Sequence, residues 1–335
     1  MMINNLFYKF FILNNLINLT FIILFFQDLL MMWFFLEINN FLFICYLCLK
    51  LSNKKLIFLY YLIQIIASLL LIFSLIFNNF FMLNINFLMI NFYFAIMLKL
   101  GIPPFHIWMP MISSYLNWDI IFIFLTIQKI IPLYMLSMMN MSKNMMIFYY
   151  LILSSAFMSM YKMINSLNLK ILLTYSSINQ TSWMLFLIFL KNMFWFIYMI
   201  IYTLILFIIS YFFSFLKFSL FFFLNNFFYS LNFNLMCLMM ILNLASMPPM
   251  SFFMLKWMNI FISIFNSNMH LIFIMMIINS LILIYIYINF MNLILFFNMI
   301  KFKFFNYSMN LINKNLINFY MIFMNFMLSI TLIMI

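Results

Sequence analysis

Apolar runs of roughly 20 residues follow one another through this 335-residue chain almost without a soluble interval. Such runs commit the chain to a lipid bilayer. In hydrocarbon every backbone N–H and C=O must be paired internally, which leaves only helices and closed barrels. Barrel strands alternate apolar and polar residues, whereas these runs are continuous. The expected fold is therefore an all-α, polytopic membrane helix bundle with about 11 transmembrane helices of bilayer length. They are expected near 3–25, 28–49, 56–77, 83–100, 118–138, 145–163, 169–190, 193–216, 233–265, 271–297 and 316–335. The ninth is long enough to be broken.

Against that background the few charges stand out. Only 5% of residues are charged, and 15 lysines outnumber three acids. Three lysines, Lys99, Lys129 and Lys256, fall inside apolar spans. A cation at bilayer depth costs roughly 2.5–3.5 kcal/mol on insertion scales and marks a candidate functional site. Lys99 precedes Gly101, Pro103 and Pro104, with the only glycine of the chain. Proline removes a backbone donor and glycine relaxes the chain, so the helix should open just after Lys99. Lys256 follows a second Pro-Pro pair, Pro248-Pro249, and Lys129 precedes Pro132. Interrupted helices in both halves of a membrane chain point to inverted repeats around an ion path at the bilayer midplane. A plain loop with a snorkelling lysine is the simpler alternative at either break taken alone.

One acid, Glu37, lies within the second expected span, where burial and a neighbouring ammonium would pull its protonation in opposite senses. Such a carboxylate and lysine can exchange protons as their separation changes. Asp28 and Asp119 fall at span ends, where hydration or a helix N-terminus accounts for them. His106 can titrate beside the first break, or simply satisfy the open helix end.

The formal net charge of +12 would suggest nucleic acid for a soluble protein, but most of these lysines lie between spans. Lys9, Lys50, Lys54, Lys55, Lys162, Lys170, Lys217, Lys301, Lys303 and Lys314 fall on or near the N-terminal side, and only Lys143 and Lys191 opposite. The positive-inside rule then places the N-terminus in the inner compartment. Phe 52 and Met 38 with Gly 1, and no arginine or valine, fit an AT-rich gene in which ATA also encodes methionine, as in animal mitochondria. The first span lacks a small-residue cleavage site, and no Arg-rich presequence precedes it, which fits synthesis inside that organelle. Cys45 and Cys48 sit i,i+3 in an apolar helix and Cys237 stands alone, so a packing role is expected for them. With no glycine-rich phosphate loop and no His/Cys cluster, the chain should bind no nucleotide, flavin, iron–sulfur centre or metal.

The ordered blocks Glu37-Ile38-Asn39, Lys99 to Trp108 with Pro110, Gln128-Lys129-Ile130 with Pro132, Lys170-Ile171 with Tyr175-Ser176-Ser177-Ile178 and Trp183, and Pro248-Pro249 with Lys256-Trp257 span about three quarters of the chain. Together they resemble the mitochondrially encoded, chain 2 type of membrane subunit in proton-pumping NADH:ubiquinone oxidoreductase, respiratory complex I. The resemblance implies an antiporter-like subunit of inverted five-helix repeats with two discontinuous helices, in a shortened animal form. Repeat halves are expected near 1–165 and 166–315, with a C-terminal helix at 316–335. It also implies that Glu37 and Lys99 form a charge-modulating pair, Lys129 a central relay and Lys256 a distal relay. NADH, FMN, iron–sulfur clusters and ubiquinone are then expected in other subunits. Expected partners are chain 4 and chain 4L type subunits, accessory subunits and membrane lipids, with no nucleic acid. Met111, Ile127, Gln180, Ala245, Ser246 and Phe252 depart from the family pattern, which would alter side branches or helix flexibility and leave the four charges in place. A stand-alone cation/proton antiporter and a non-pumping assembly scaffold of the membrane arm are the competing functions.

Overall fold

The computed structural model describes residues 2–80, 85–139, 145–166, 168–215, 231–248, 250–266, 270–304 and 329. Thirteen helices occur among them, and no strand: α1 (Met2–Ile23), α2 (Leu29–Lys50), α3 (Lys54–Phe80), α4 (Ile85–Leu100), α5 (Trp108–Ser113), α6 (Trp118–Leu125), α7 (Ile127–Met138), α8 (Met145–Ile164), α9 (Leu169–Phe189), α10 (Phe194–Phe215), α11 (Leu231–Leu244), α12 (Ser251–Asn266) and α13 (His270–Phe304). They fall into two compact units, Met1–Ser154 and Ser155–Ile335, divided within α8.

The all-helical membrane class agrees with the sequence expectation, while the detailed span list changes. Among the described residues six helical stretches are long and apolar enough to cross a membrane: Leu29–Lys50, Lys54–Phe77, Trp118–Met138, Met146–Ile164, Phe194–Ser214 and Leu271–Asn292. Shorter apolar helices at Tyr8–Ile23, Leu88–Leu100 and Ser251–Ile264 occupy other expected spans. The expected span 169–190 is α9, whose polar central run sets it apart from a lipid-facing helix. The expected span 316–335 lies outside the described residues, apart from Ser329.

In the first unit α7 packs against α1, α2, α4 and α6 and is the central element. The Tyr134 hydroxyl on α7 donates to the carbonyls of Leu24 at 3.0 Å and Phe26 at 3.2 Å, tying α7 to the end of α1. The Trp33 indole N–H donates to the Ser68 carbonyl at 3.3 Å, joining α2 to α3. Phe43, Tyr60, Trp108 and Phe124, from α2, α3, α5 and α6, form one ring cluster with centroids 5.3–6.2 Å apart. Each such contact adds about 0.5–1.5 kcal/mol beyond area burial. In the second unit α9 packs against α10 and α12, and α11 against α12 and α13.

Both double-proline breaks stop a helix with the same cap. At the end of α4 the Ile102 N–H reaches back to the Met97 carbonyl at 3.0 Å, with Gly101 at φ +65°. At the end of α11 the Met247 N–H reaches the Leu242 carbonyl at 3.3 Å and the Ser246 N–H the Asn243 carbonyl at 2.9 Å, with Ser246 at φ +57°. This is the Schellman arrangement, which consumes the last carbonyls and needs a left-handed residue after the helix. Glycine is the natural occupant because a Cβ there costs roughly 1–2 kcal/mol. At Gly101 a Cβ would also lie 3.1 Å from Met109 Sδ and 3.4 Å from Met109 Cβ. Gly101→Ala should therefore destabilise the first unit by about 1–3 kcal/mol, read as earlier thermal inactivation of the membrane complex. Unchanged heat stability would show that this cap is not under the stated constraint.

A third interruption falls within the expected span 118–138, upstream of its proline rather than at it. The helix breaks at Thr126, with φ −114° and ψ −75°, into α6 and α7. Pro132 disturbs this segment, since it has no N–H to give and its ring crowds the carbonyl four residues back, at position 128, and the Thr126 side chain competes for backbone bonding just before it. The chain adjusts upstream. Thr126 Oγ1 bonds back to the Phe122 carbonyl at 2.7 Å, and the Lys129 N–H takes the Thr126 carbonyl at 2.9 Å, three residues back. The proline was visible in the sequence; the distance over which its disturbance is absorbed was not.

Candidate functional site

Lys99 lies in the last turn of α4, one residue before the helix stops. Its Nζ donates to Glu37 Oε1 at 3.0 Å, joining α4 to α2. The two partners differ in surroundings: the lysine side chain is 2% exposed and the carboxylate side chain 31%. The pair thus runs from the flank of the unit into its interior.

There Lys99 and Lys129 line one pocket with Asn39, Asn40, Gln64, Gln128, Tyr60 and Trp108. Ile131, Pro132, Leu36, Met109 and Phe124 complete its wall. Lys129 is 1% exposed. Its place follows from the Thr126 break, which sets the first turn of α7 at the centre of the unit. Asn39 Oδ1, Asn40 Nδ2, Trp108 Nε1 and Gln128 Nε2 are buried without a hydrogen-bond partner among the described residues. Buried polar atoms of native proteins are paired, commonly through ordered water, so this polar lining suits water beside the two lysines. A polar pocket holding two amines, one of them paired to a carboxylate, has the groups needed to store and pass protons without redox chemistry.

The second unit carries a separate arrangement. Lys256 on α12, 5% exposed, donates from Nζ to Ser246 Oγ at 2.6 Å, and Ser246 Oγ donates to the Ala245 carbonyl at 2.6 Å. Asn243 Oδ1 accepts from Ser251 Oγ at 3.1 Å and from the Phe252 N–H at 3.3 Å, so one amide clasps both sides of the break. Beside it, α9 is buried along nearly its whole length despite the run Thr174-Tyr175-Ser176-Ser177-Ile178-Asn179-Gln180-Thr181-Ser182. Its small hydroxyls bond back to carbonyls three residues earlier, at 2.7 Å for Thr174, 2.8 Å for Ser176 and 2.6 Å for Ser177, Thr181 and Ser182. The Tyr198 hydroxyl of α10 donates to Gln180 Oε1. Tyr202 and Tyr287 stand beside Ser177 and Ser176.

The structure brings Glu37, Lys99 and Lys129 together in the first unit and places Lys256 at its own break in the second. His106 is 4% exposed in the loop before α5 but is not among the residues lining the lysine pocket. Asp28 is the N-cap residue of α2 and Asp119 sits in the first turn of α6, where a helix N-terminus favours an anion. Cys45 and Cys48 are free thiols on α2. No group of three or more metal-ligating side chains occurs among the described residues. Sequence reasoning missed Asn40, Gln64 and Tyr60 as pocket residues and the tyrosines that meet α9. The signal available for α9 was its polar run inside an apolar chain.

No family model matches the chain. A curated relative named NADH-ubiquinone oxidoreductase chain 2, from Artemia franciscana, is 30% identical over 242 residues, covering 70% of this chain and 73% of that protein. The Anopheles gambiae protein of the same name is 30% identical over 242 residues, covering 68% of each chain. Among solved structures, a chain of respiratory complex I from Thermus thermophilus shares the fold with a TM-score of 0.75 at 15% identity, covering 97% of this chain and 77% of that one.

Proposed function

Because the chain belongs to the NADH-ubiquinone oxidoreductase chain 2 family, we propose that it relays protons across the membrane through Glu37, Lys99, Lys129 and Lys256. It is a multi-pass membrane subunit of that oxidoreductase, alongside the other subunits of the complex. The observation that carries the relay is that all three membrane-depth lysines, 5%, 1% and 5% exposed, stand beside interruptions of their helices. The Glu37 carboxylate and the Ser246 hydroxyl supply polar partners to Lys99 and Lys256, and buried amides line the pocket that Lys99 shares with Lys129, as a lysine needs at that depth.

In this reading Glu37 and Lys99 modulate one another's charge, Lys129 holds the proton in the shared pocket, and Lys256 serves the second unit. His106 borders the first break and takes a supporting place at most. NADH, FMN, iron–sulfur clusters and ubiquinone belong to other subunits, whose redox steps bias the lysines between two arrangements. Chain 4 and chain 4L type subunits, accessory subunits and lipids are the proposed neighbours, in the mitochondrial inner membrane with the N-terminus in the matrix. The excess of lysines on the N-terminal side supports that orientation.

Lys256→Met tests the relay. In purified, reconstituted complex, with assembly checked on native gels, the variant should lower coupled proton translocation about tenfold, a modest share of the 10²–10⁴-fold typical of a proton-transfer group. Normal pumping by an intact complex would instead favour the assembly-scaffold reading.

A further inference from the structure

We infer that Ser246 is the docking point of the Lys256 ammonium, a positioning residue that holds this lysine against the opened end of α11; the inference rests on the proton-relay reading above. The two double-proline breaks end in the same cap, and each needs a left-handed residue after its helix. The first uses Gly101, at φ +65°, and the second uses Ser246, at φ +57°. A serine at that position carries the Cβ penalty that glycine escapes.

The hydroxyl gives the serine a role that glycine cannot fill. It is 1% exposed and donates to the Ala245 carbonyl at 2.6 Å, which turns its lone pairs toward Lys256 Nζ, also at 2.6 Å. Acceptance from a charged donor is the stronger class of hydrogen bond. The left-handed backbone and the contact are linked, because the cap geometry that turns the chain at residue 246 also sets the direction of its Cβ. Serine in this cap therefore fixes where the lysine head rests, across 10 residues of sequence and a broken helix. Asn243, bonded to Ser251 and Phe252, keeps the start of α12 in register with that rest position.

Four variants of the intact, reconstituted complex test this: Ser246→Gly, Ser246→Ala, Ser246→Asn and Lys256→Met. Glycine suits the backbone and lacks the acceptor. Alanine lacks the acceptor and keeps the backbone penalty. Asparagine tolerates the left-handed region and carries an amide oxygen. The expected result is a fall of about fivefold to tenfold in coupled proton translocation for the glycine and alanine variants, with a displaced pH profile and substantial recovery in the asparagine variant. A merely structural cap predicts the reverse order, with glycine equal to or better than the natural residue in heat stability and in pumping. Wild-type pumping and pH profile in Ser246→Gly would overturn the inference if Lys256→Met has lost pumping. Wild-type behaviour in both would overturn the relay reading itself.

Discussion

Lys129→Met should reduce coupled proton translocation by on the order of 10²-fold or more while leaving the complex assembled. Lys129, 1% exposed, lines the same pocket as Lys99 on the central helix of its unit. A proton crossing that pocket has no other amine on α7 to occupy, so the loss should exceed the one expected for Lys256. Methionine, meanwhile, has a similar length and removes the cost of a buried ammonium, so folding should be spared. Vesicle acidification measured against NADH oxidation, with native gels for assembly, separates the two effects. Full pumping by an assembled Lys129→Met complex would remove Lys129 from any relay.

Glu37→Ala is expected to produce the largest loss of stability among single changes at the site. It leaves Lys99, with a side chain 2% exposed, without the carboxylate that now lies 3.0 Å away. Breaking a buried pair from one side costs about 3–5 kcal/mol, and the 31% exposure of Glu37 favours the low end of that range. The double change Glu37→Ala with Lys99→Met should restore most of the stability, because no buried charge is then stranded, yet pumping should stay lost. Comparing the inactivation temperatures of the natural complex, both single variants (Glu37→Ala and Lys99→Met) and the double variant completes the cycle that reads the coupling. A Glu37→Ala complex as heat-stable as the natural one would mean that Lys99 finds another partner at little cost.

The membrane class, the two Pro-Pro breaks and the four candidate charges were legible because each is a violation of an otherwise uniform pattern. A lysine in an apolar run, or two prolines in a helix, needs no partner to be noticed. The meeting of Glu37 with Lys99 rested on family resemblance, because 62 residues separate them and only the packing of α2 and α4 on the shared neighbours α3 and α7 closes that gap. The pocket shared by Lys99 and Lys129 was hidden for a related reason. Asn40, Gln64 and Tyr60 are ordinary residues whose value comes from the helix face that a neighbour covers. The Thr126 break shows a different limit, since the sequence marks the proline that causes a kink and the carbonyls that bend decide where it is absorbed. The serine cap at Ser246 is subtler still: a departure noted in the sequence as a change in helix flexibility proves to supply a hydrogen-bond acceptor.

The polar interior of α9 bears on how the chain enters its membrane. A helix with Thr174, Ser176, Ser177, Asn179, Gln180, Thr181 and Ser182 along its length partitions poorly into lipid by itself. Asn179 donates to Met160 Sδ of the preceding α8 at 3.3 Å, while the bond from Tyr198 of α10 to Gln180 becomes available only when the next helix has been synthesised. Entry of α9 together with its neighbours, rather than singly, is the expected order, because these partners cover its polar groups before they meet lipid.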